Sequence, residues 1–126
     1  MSSIKELVET FDQKERPVGT LLDAETLTAQ LVAATRFYAG FAVIMARASD
    51  STVKIDEDLE LSDSEYALIR PLFLLYVERE TALQIEASRA MGVDTFGRSA
   101  AEVAADITQA EDAMPRKAFF QPIVTV

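Results

Sequence analysis

The sequence contains no histidine and no cysteine, so any chemistry would have to come from carboxylates, hydroxyls and basic side chains. The usual pairs of nucleophile and base, and the usual zinc sites, are therefore excluded. Carboxylate bundles that hold two metal ions need a Glu-x-x-His motif, which cannot occur here. We expect no catalytic residue, no cofactor-binding residue and no metal ligand, and we expect that the protein is not an enzyme.

Two short patterns approach known ligand-binding loops without matching them. In the acidic run, Leu61 and Ala67 occupy the positions where a calcium loop needs glycine and glutamate. Gly92 and Gly97 have the spacing of a phosphate-binding loop, but Arg98 follows where that loop needs lysine, and no strand precedes it. Neither pattern predicts a ligand.

The composition predicts one acidic, mainly helical domain over residues 1–126. The chain has 12 basic and 21 acidic residues, a net charge of −9, and 49% hydrophobic residues. It is long enough for one core, and its four glycines and four prolines favour helices over a turn-rich β fold. Because it would repel phosphates, we expect no sequence-specific binding of nucleic acid. The absence of cysteine fits a reducing cytoplasm.

Three segments begin with the Ser-x-x-Glu pattern of a capping box, in which the serine and the glutamate satisfy free amides at the start of a helix. The boxes begin at Ser3, Ser62 and Ser99. Apolar residues at helical spacing follow each of them. They predict a short N-terminal helix, a long third helix and a last helix that Pro115 ends.

The second helix is predicted to begin after Asp23, a good N-cap, and to run to about Ala48. One side is continuously apolar and the other contains small residues, which predicts a central helix buried on most sides. A membrane span is the alternative. However, only residues 37–46 are free of polar side chains, far fewer than the roughly 20 that a span needs. We therefore expect no membrane span.

The third helix is predicted to run from the Ser62 box to Met91, with Gly92 ending it. Pro71 lies well inside this segment. Since proline removes one backbone hydrogen bond, the helix should bend or split there. We predict a long kinked helix.

Residues 50–61 are predicted to form an acidic arm. Apolar and charged residues alternate from Val53 to Leu61, which is typical of a strand, but Glu57 interrupts the pattern. A short β-hairpin and an extended arm both fit. Seven acidic residues and one lysine lie between positions 50 and 65. A solvated loop and a docking surface for a basic partner are the two interpretations.

Glu78, Arg79 and Glu80 interrupt the apolar stripe of the third helix. None of them has an opposite charge three or four residues away, so a partner would come from another helix, another chain or solvent. We predict that at least one of the three contacts another chain.

Residues 117–126 are predicted to form an extended C-terminal docking tail. From position 119 onward the tail has no charged side chain and is rich in β-prone residues. The predicted contact residues are Phe119, Phe120, Pro122, Ile123, Val124 and Val126. Docking onto a neighbouring chain by strand addition and folding back onto the chain's own core remain two alternatives.

Residues 69–80, 86–89, 96–99 and 122–126 are similar to small proteins of tailed-bacteriophage morphogenesis clusters. Among these, the sequence most resembles head-to-tail connector proteins, also called adaptor or head-completion proteins. The similarity covers about the second half of the chain and includes no catalytic motif. The first half has a compatible helical pattern.

The resemblance implies a helical subunit of a homo-oligomeric ring, commonly a dodecamer, in the neck of the virion. The partners would be the portal protein and a downstream neck or tail protein, and the subunit would be made in the host cytoplasm. The resemblance implies neither a cofactor nor an enzymatic activity. A small acidic regulator or inhibitor that binds a basic surface of a host protein, and a membrane-associated helical protein, are the alternative functions.

Overall fold

A computed structural model of the protein describes residues 1–15, 22–89 and 98–119. These residues form a small helical bundle with one two-stranded antiparallel sheet, which confirms the predicted mainly helical class. The main elements are β1 (Ser2–Ser3), α1 (Ile4–Thr10), α2 (Ala24–Ala39), β2 (Glu60–Leu61), α3 (Asp63–Arg89) and α4 (Ala100–Phe119). A π-helical turn, Phe11–Glu15, extends α1, and a 3-10 turn, Met45–Arg47, follows α2.

All three serine caps form. In each box the serine hydroxyl accepts the backbone N–H of the glutamate three residues later, at 3.2 Å. At Ser62 the Glu65 carboxylate also accepts the Ser62 backbone N–H at 2.9 Å, which completes the reciprocal box. At Ser3 and Ser99 the glutamate carboxylate accepts the serine hydroxyl instead. The predicted starts of α1, α3 and α4 are therefore confirmed.

The start of α2 is also confirmed, because Asp23 Oδ1 accepts the backbone N–H of Thr26 at 2.8 Å. The predicted end near Ala48 was wrong, since the helix ends at Ala39 with Gly40 as its C-cap. After Gly40 the chain turns, so that Ile44, only 1% exposed, enters the core. Glycine and β-branched residues are weak helix formers, and burial of Ile44 favours the turn over continued helix.

The prediction that α2 is buried on most sides was wrong in the single chain. Its core face is buried, but the opposite face is exposed along its length. That face consists of Glu25, Ala29, Ala33, Arg36 and Gly40. One apolar stripe is thus enough to hold the helix, and the small-residue face remains open. No helix in the described ranges is long and apolar enough to cross a membrane.

The cap at Asp23 should influence acid stability. Hydrogen bonding from the Thr26 side chain and backbone lowers the pKa of Asp23 below its model-compound value of 3.8. A lowered pKa in the folded state means that this stabilisation is complete above the unfolded-state pKa and disappears as the pH falls through the folded-state pKa. We expect Asp23→Asn to have nearly wild-type stability at neutral pH, because asparagine is also a good N-cap.

The variant should then lose less stability than the wild type as the pH falls below about 5 and passes through the folded-state pKa of Asp23. Urea unfolding at a series of pH values, followed by circular dichroism, measures the difference. Parallel pH profiles for the two proteins would contradict the assignment.

Helix α3 continues through the exposed Pro71 without splitting, which confirms the predicted long helix. The predicted end at Met91 and Gly92 lies outside the described residues, and so does the pair of Gly92 and Gly97. Helix α3 packs against both α2 and α4 and therefore occupies the centre of the bundle.

Pro71→Ala should stabilise the protein. Alanine restores the missing hydrogen-bond donor and favours helix by up to about 3 kcal/mol relative to proline, and the exposed site leaves room for it. The predicted bend should straighten. Urea unfolding measures the first effect and a crystal structure of the variant the second. A variant less stable than the wild type would show that the core depends on the proline geometry.

The core contains side chains from every helix. The largest fully buried ones are Tyr38, Phe11, Phe73, Ile4, Leu22, Leu27, Leu31, Ile44, Leu61, Ile69, Leu72 and Met114. Phe11 and Phe73 meet edge to face, with ring centroids 5.1 Å apart and an interplanar angle of 70°. This ring pair joins the turn after α1 to α3.

The sheet is shorter than the predicted arm and has an unpredicted partner. Strand β2 pairs antiparallel with β1, with Ser2 opposite Leu61 and Ser3 opposite Glu60. Leu59 and Leu61 are buried as the alternation predicts, but Val53 is 36% exposed. Residues 50–58 form turns, so the strand pattern holds only at the end of the arm.

Helix α4 passes Pro115 and ends at Phe119, so the prediction that Pro115 stops the helix was wrong. Pro115 is exposed, while Met114 and Ala118 on either side of it are buried. Burial of these neighbours compensates for the lost backbone hydrogen bond. Residues 117–119 of the predicted tail are therefore helical, and the rest of the predicted tail lies outside the described residues.

Candidate interaction surface

Glu78 finds its partner on another helix segment of the same chain. Arg98, just before α4, donates from Nε and Nη2 to the two Glu78 carboxylate oxygens, at 2.6 and 2.8 Å. Its Nη1 also pairs with the Asp106 carboxylate. Hydrogen bonds from Arg98 to Glu78 and Asp106 raise the pKa of the guanidinium, so Arg98 stays charged. The network is partly exposed and joins Glu78 in α3 to Arg98 and Asp106 at the beginning of α4.

Arg79 lies over the ring of Tyr76, with its guanidinium carbon 4.9 Å from the ring centroid. The Tyr76 hydroxyl donates to Glu111 Oε2 at 2.7 Å, which joins α3 to α4. Burial and the bond to Glu111 raise the pKa of Tyr76, so the hydroxyl remains a donor at neutral pH. Arg79 therefore completes a contact within the subunit.

The third member of the triplet, Glu80, is partly buried, and its carboxylate forms no hydrogen bond or ion pair within the described part of the chain. Glu78 and Arg79 have partners inside the subunit. A contact between chains remains a prediction, and it now depends mainly on Glu80.

The structure reveals an exposed apolar surface, which we call the 41–53 patch. It consists of Phe41 (48% exposed), Val43 (76%), Met45 (49%) and Val53 (36%). These are four of the six large apolar side chains that are exposed in the described residues, so the exposure is concentrated rather than scattered. Such a patch is typical of an interaction site.

The patch is held in shape by two contacts with the rest of the fold. Arg47 donates from Nε to the Val53 carbonyl at 2.9 Å and from Nη2 to the Ser51 carbonyl at 2.8 Å, which folds residues 51–53 back towards the 3-10 turn. The Met45 N–H donates to Glu65 Oε2 at 2.8 Å, which fixes the turn to the start of α3. The patch is therefore built on supported backbone.

The sequence contained a signal for this surface. Residues 37–46 form its longest run without a polar side chain. We expected the run to continue α2 and be buried, but the turn at Gly40 brings Phe41, Val43 and Met45 to the surface. Phe37 and Phe41 still contact each other, with ring centroids 5.4 Å apart. This ring contact joins the patch to the last turn of α2.

An open cleft of about 260 Å³ lies between α1 and α2. Its rim includes three glutamates, Glu9, Glu25 and Glu57, together with Lys5. Across residues 1–15, 22–89 and 98–119, no three histidine, cysteine, aspartate or glutamate residues are grouped so that they could hold a metal ion. The cleft is acidic but offers no metal geometry.

The predicted contact residues of the tail lie at or beyond the end of α4. Phe119 is the last residue of the helix. Phe120, Pro122, Ile123, Val124 and Val126 are outside the described residues, so docking of this segment stays a prediction. No protein family, curated protein or solved structure matches the chain.

Proposed function

We propose that the protein is a structural subunit of a tailed-phage neck, where it forms a ring that joins the portal to the next neck or tail component and lets DNA pass. The observation that carries the proposal is the 41–53 patch. In the described residues most large apolar side chains are buried, and the exposure of Phe41 and Val43 within one short segment favours assembly with another subunit.

The small-residue face of α2 supports the same proposal. Ala29, Ala33 and Gly40 are exposed along α2 and at its C-cap, and their size would allow a neighbouring backbone to approach closely. The similarity of residues 69–80 and 122–126 to connector proteins gives the assembly its proposed identity.

The charge is consistent with passage of DNA. Each subunit contributes a net charge of −9, so a ring of many copies would be strongly acidic. An acidic channel repels the phosphate backbone and allows DNA to slide without adhering. Asp56, Glu57, Asp58 and Glu60 are exposed and could line such a channel.

Native mass spectrometry and negative-stain electron microscopy of the purified full chain test the proposal. We expect a closed ring with a central opening, either from the chain alone or after addition of portal protein. The proposed ring assembly would be overturned if the chain stayed monomeric in both cases. This outcome should be checked at concentrations up to about 100 times those in dilute assays.

A small acidic regulator of a host protein is the second candidate. The observation that favours it is the exposed acidic arm, in which Asp56, Glu57, Asp58 and Glu60 face solvent around Lys54. This function predicts a monomer that binds one basic host protein, with an affinity that falls steeply as salt is added. A salt-sensitive one-to-one complex without a ring would favour it.

A further inference from the structure

We infer that the 41–53 patch is the acceptor site for residues 120–126 of a second copy of the chain. The inference rests on the proposed ring and deepens it, because it names the two surfaces that meet. It follows from three features: the exposure of the patch, the composition of residues 120–126, and the place where α4 ends.

The patch is uncovered in the single chain. Val43 is 76% exposed, and Phe41 and Met45 are each about half exposed. The backbone is fixed on both sides of Val43, because the Phe41 N–H donates to the Tyr38 carbonyl at 2.9 Å and the Met45 N–H donates to the Glu65 carboxylate at 2.8 Å. Its cover therefore comes from outside the described fold.

Residues 120–126 have the composition of such a cover. Four of the seven are large and apolar, namely Phe120, Ile123, Val124 and Val126, and none has a charged side chain. An uncharged segment can be buried on an apolar patch without the desolvation of an ion. Beyond Pro122 every residue can donate a backbone hydrogen bond, which suits an extended segment.

Helix α4 delivers this segment to the end of the bundle that has the patch. The Tyr76–Glu111 and Glu86–Ala100 hydrogen bonds show that α3 and α4 run antiparallel. With equal rise per residue, Phe119 lies level with about position 68, within about two turns of the start of α3. Met45 is bonded to that same start through Glu65. Seven extended residues reach roughly 23 Å from there.

A second copy satisfies both surfaces at once. If each chain gives its segment to a neighbour and receives another on its own patch, the contact is head to tail, and such contacts generate rings when the rotation closes. If the segment instead covered its own chain's patch, neither surface would remain for assembly.

The chain has no cysteine, so introduced cysteines can test the contact. Full-length Val43→Cys and Ile123→Cys chains, with tags of different size, are mixed and treated with a short bismaleimide. We expect covalent heterodimers, at several times the yield obtained when Leu83→Cys replaces Val43→Cys. Leu83 is 45% exposed on α3, less than the 76% of Val43, so Phe41→Cys, at a site in the patch that is 48% exposed, gives the comparison with Leu83→Cys at matched accessibility. Equal yields from the two mixtures would overturn the inference.

A chain with both Val43→Cys and Ile123→Cys distinguishes a neighbour from the chain itself. Crosslinked at high dilution, it should form few internal links. Efficient internal links, together with no heterodimers in the mixture, would overturn the inference by showing that the segment covers its own patch.

Failure of the inference and failure of the proposed function give different results. Val43→Asp and Leu83→Asp, each checked for wild-type circular dichroism, are compared with the wild type by native mass spectrometry. We expect the ring to be lost only in Val43→Asp. A ring that survives Val43→Asp overturns the inference but leaves the proposed function standing. Heterodimers without any ring would support the contact and overturn the proposed function.

Discussion

Glu65→Ala is expected to reduce the free energy of unfolding by about 2–6 kcal/mol, because two partly buried backbone donors lose their acceptor, at about 1–3 kcal/mol each. Glu65 is only 2% exposed. Its Oε1 accepts the Ser62 N–H and its Oε2 accepts the Met45 N–H. The substitution therefore removes an N-terminal cap of α3 and releases the turn at Met45 in one step.

Two control substitutions isolate the cause. Glu65→Gln retains one acceptor oxygen, so its free energy of unfolding should lie between those of the wild type and the alanine variant. Asp63→Ala removes an exposed acidic residue from the same helical turn and should change stability by at most about 0.5 kcal/mol. Urea unfolding measures all three variants. If Glu65→Ala were no more destabilising than Asp63→Ala, the two hydrogen bonds would contribute nothing.

Phe73→Ala is expected to destabilise the protein by about 3–5 kcal/mol, the usual range for truncating a buried phenylalanine. Phe73 is fully buried and meets Phe11 edge to face. Its loss would leave a cavity between α3 and the turn after α1. Chemical unfolding followed by circular dichroism gives the free energy, and a protein this small should unfold in one cooperative step.

The energy of the contact between the two aromatic rings can be separated from the cost of the cavity. Phe73→Leu fills most of the space and should cost less than the alanine variant. Combining Phe73→Leu with Phe11→Leu should show a coupling of about 0.5–1.5 kcal/mol, the usual value for an aromatic pair. Strictly additive losses would mean that the two rings are merely neighbours.

Local chemistry made the helix starts predictable. A cap depends on residues within one turn, so Ser3, Asp23, Ser62 and Ser99 could be recognised from the sequence alone. The buried faces followed for the same reason, because helical periodicity is also a local property.

The ends of the elements depended on distant partners and could not be predicted in the same way. Helix α2 ends early because Ile44 enters the core and the Met45 N–H is bonded by Glu65, 20 residues later. Helix α4 continues past Pro115 because Met114 and Ala118 are buried against other helices. Local propensity favoured the opposite outcome in each case.

The candidate surface was only partly foreseen. Glu78, Arg79 and Glu80 have no opposite charge along the helix, which indicated partners elsewhere. The bidentate contact of Glu78 with Arg98 depends on how α4 returns along α3, which the sequence does not show. The 41–53 patch contains residues that looked like core. Only the turn at Gly40 distinguishes a buried stripe from an exposed one.

The pairing of β1 with β2 has a consequence for the order of folding. Ile4 and Lys5 donate their backbone N–H groups to the carbonyls of Leu59 and Glu57, so these two donors are bonded by residues that are synthesised much later. On the ribosome, the two hydrogen bonds must wait until residues 57–59 have emerged, whereas α1 with α2, and α3 with α4, can pack as sequence neighbours. Closing so long a loop slows folding more than local helix pairing does. The amide protons of Ile4 and Lys5 should thus gain protection from exchange late in refolding.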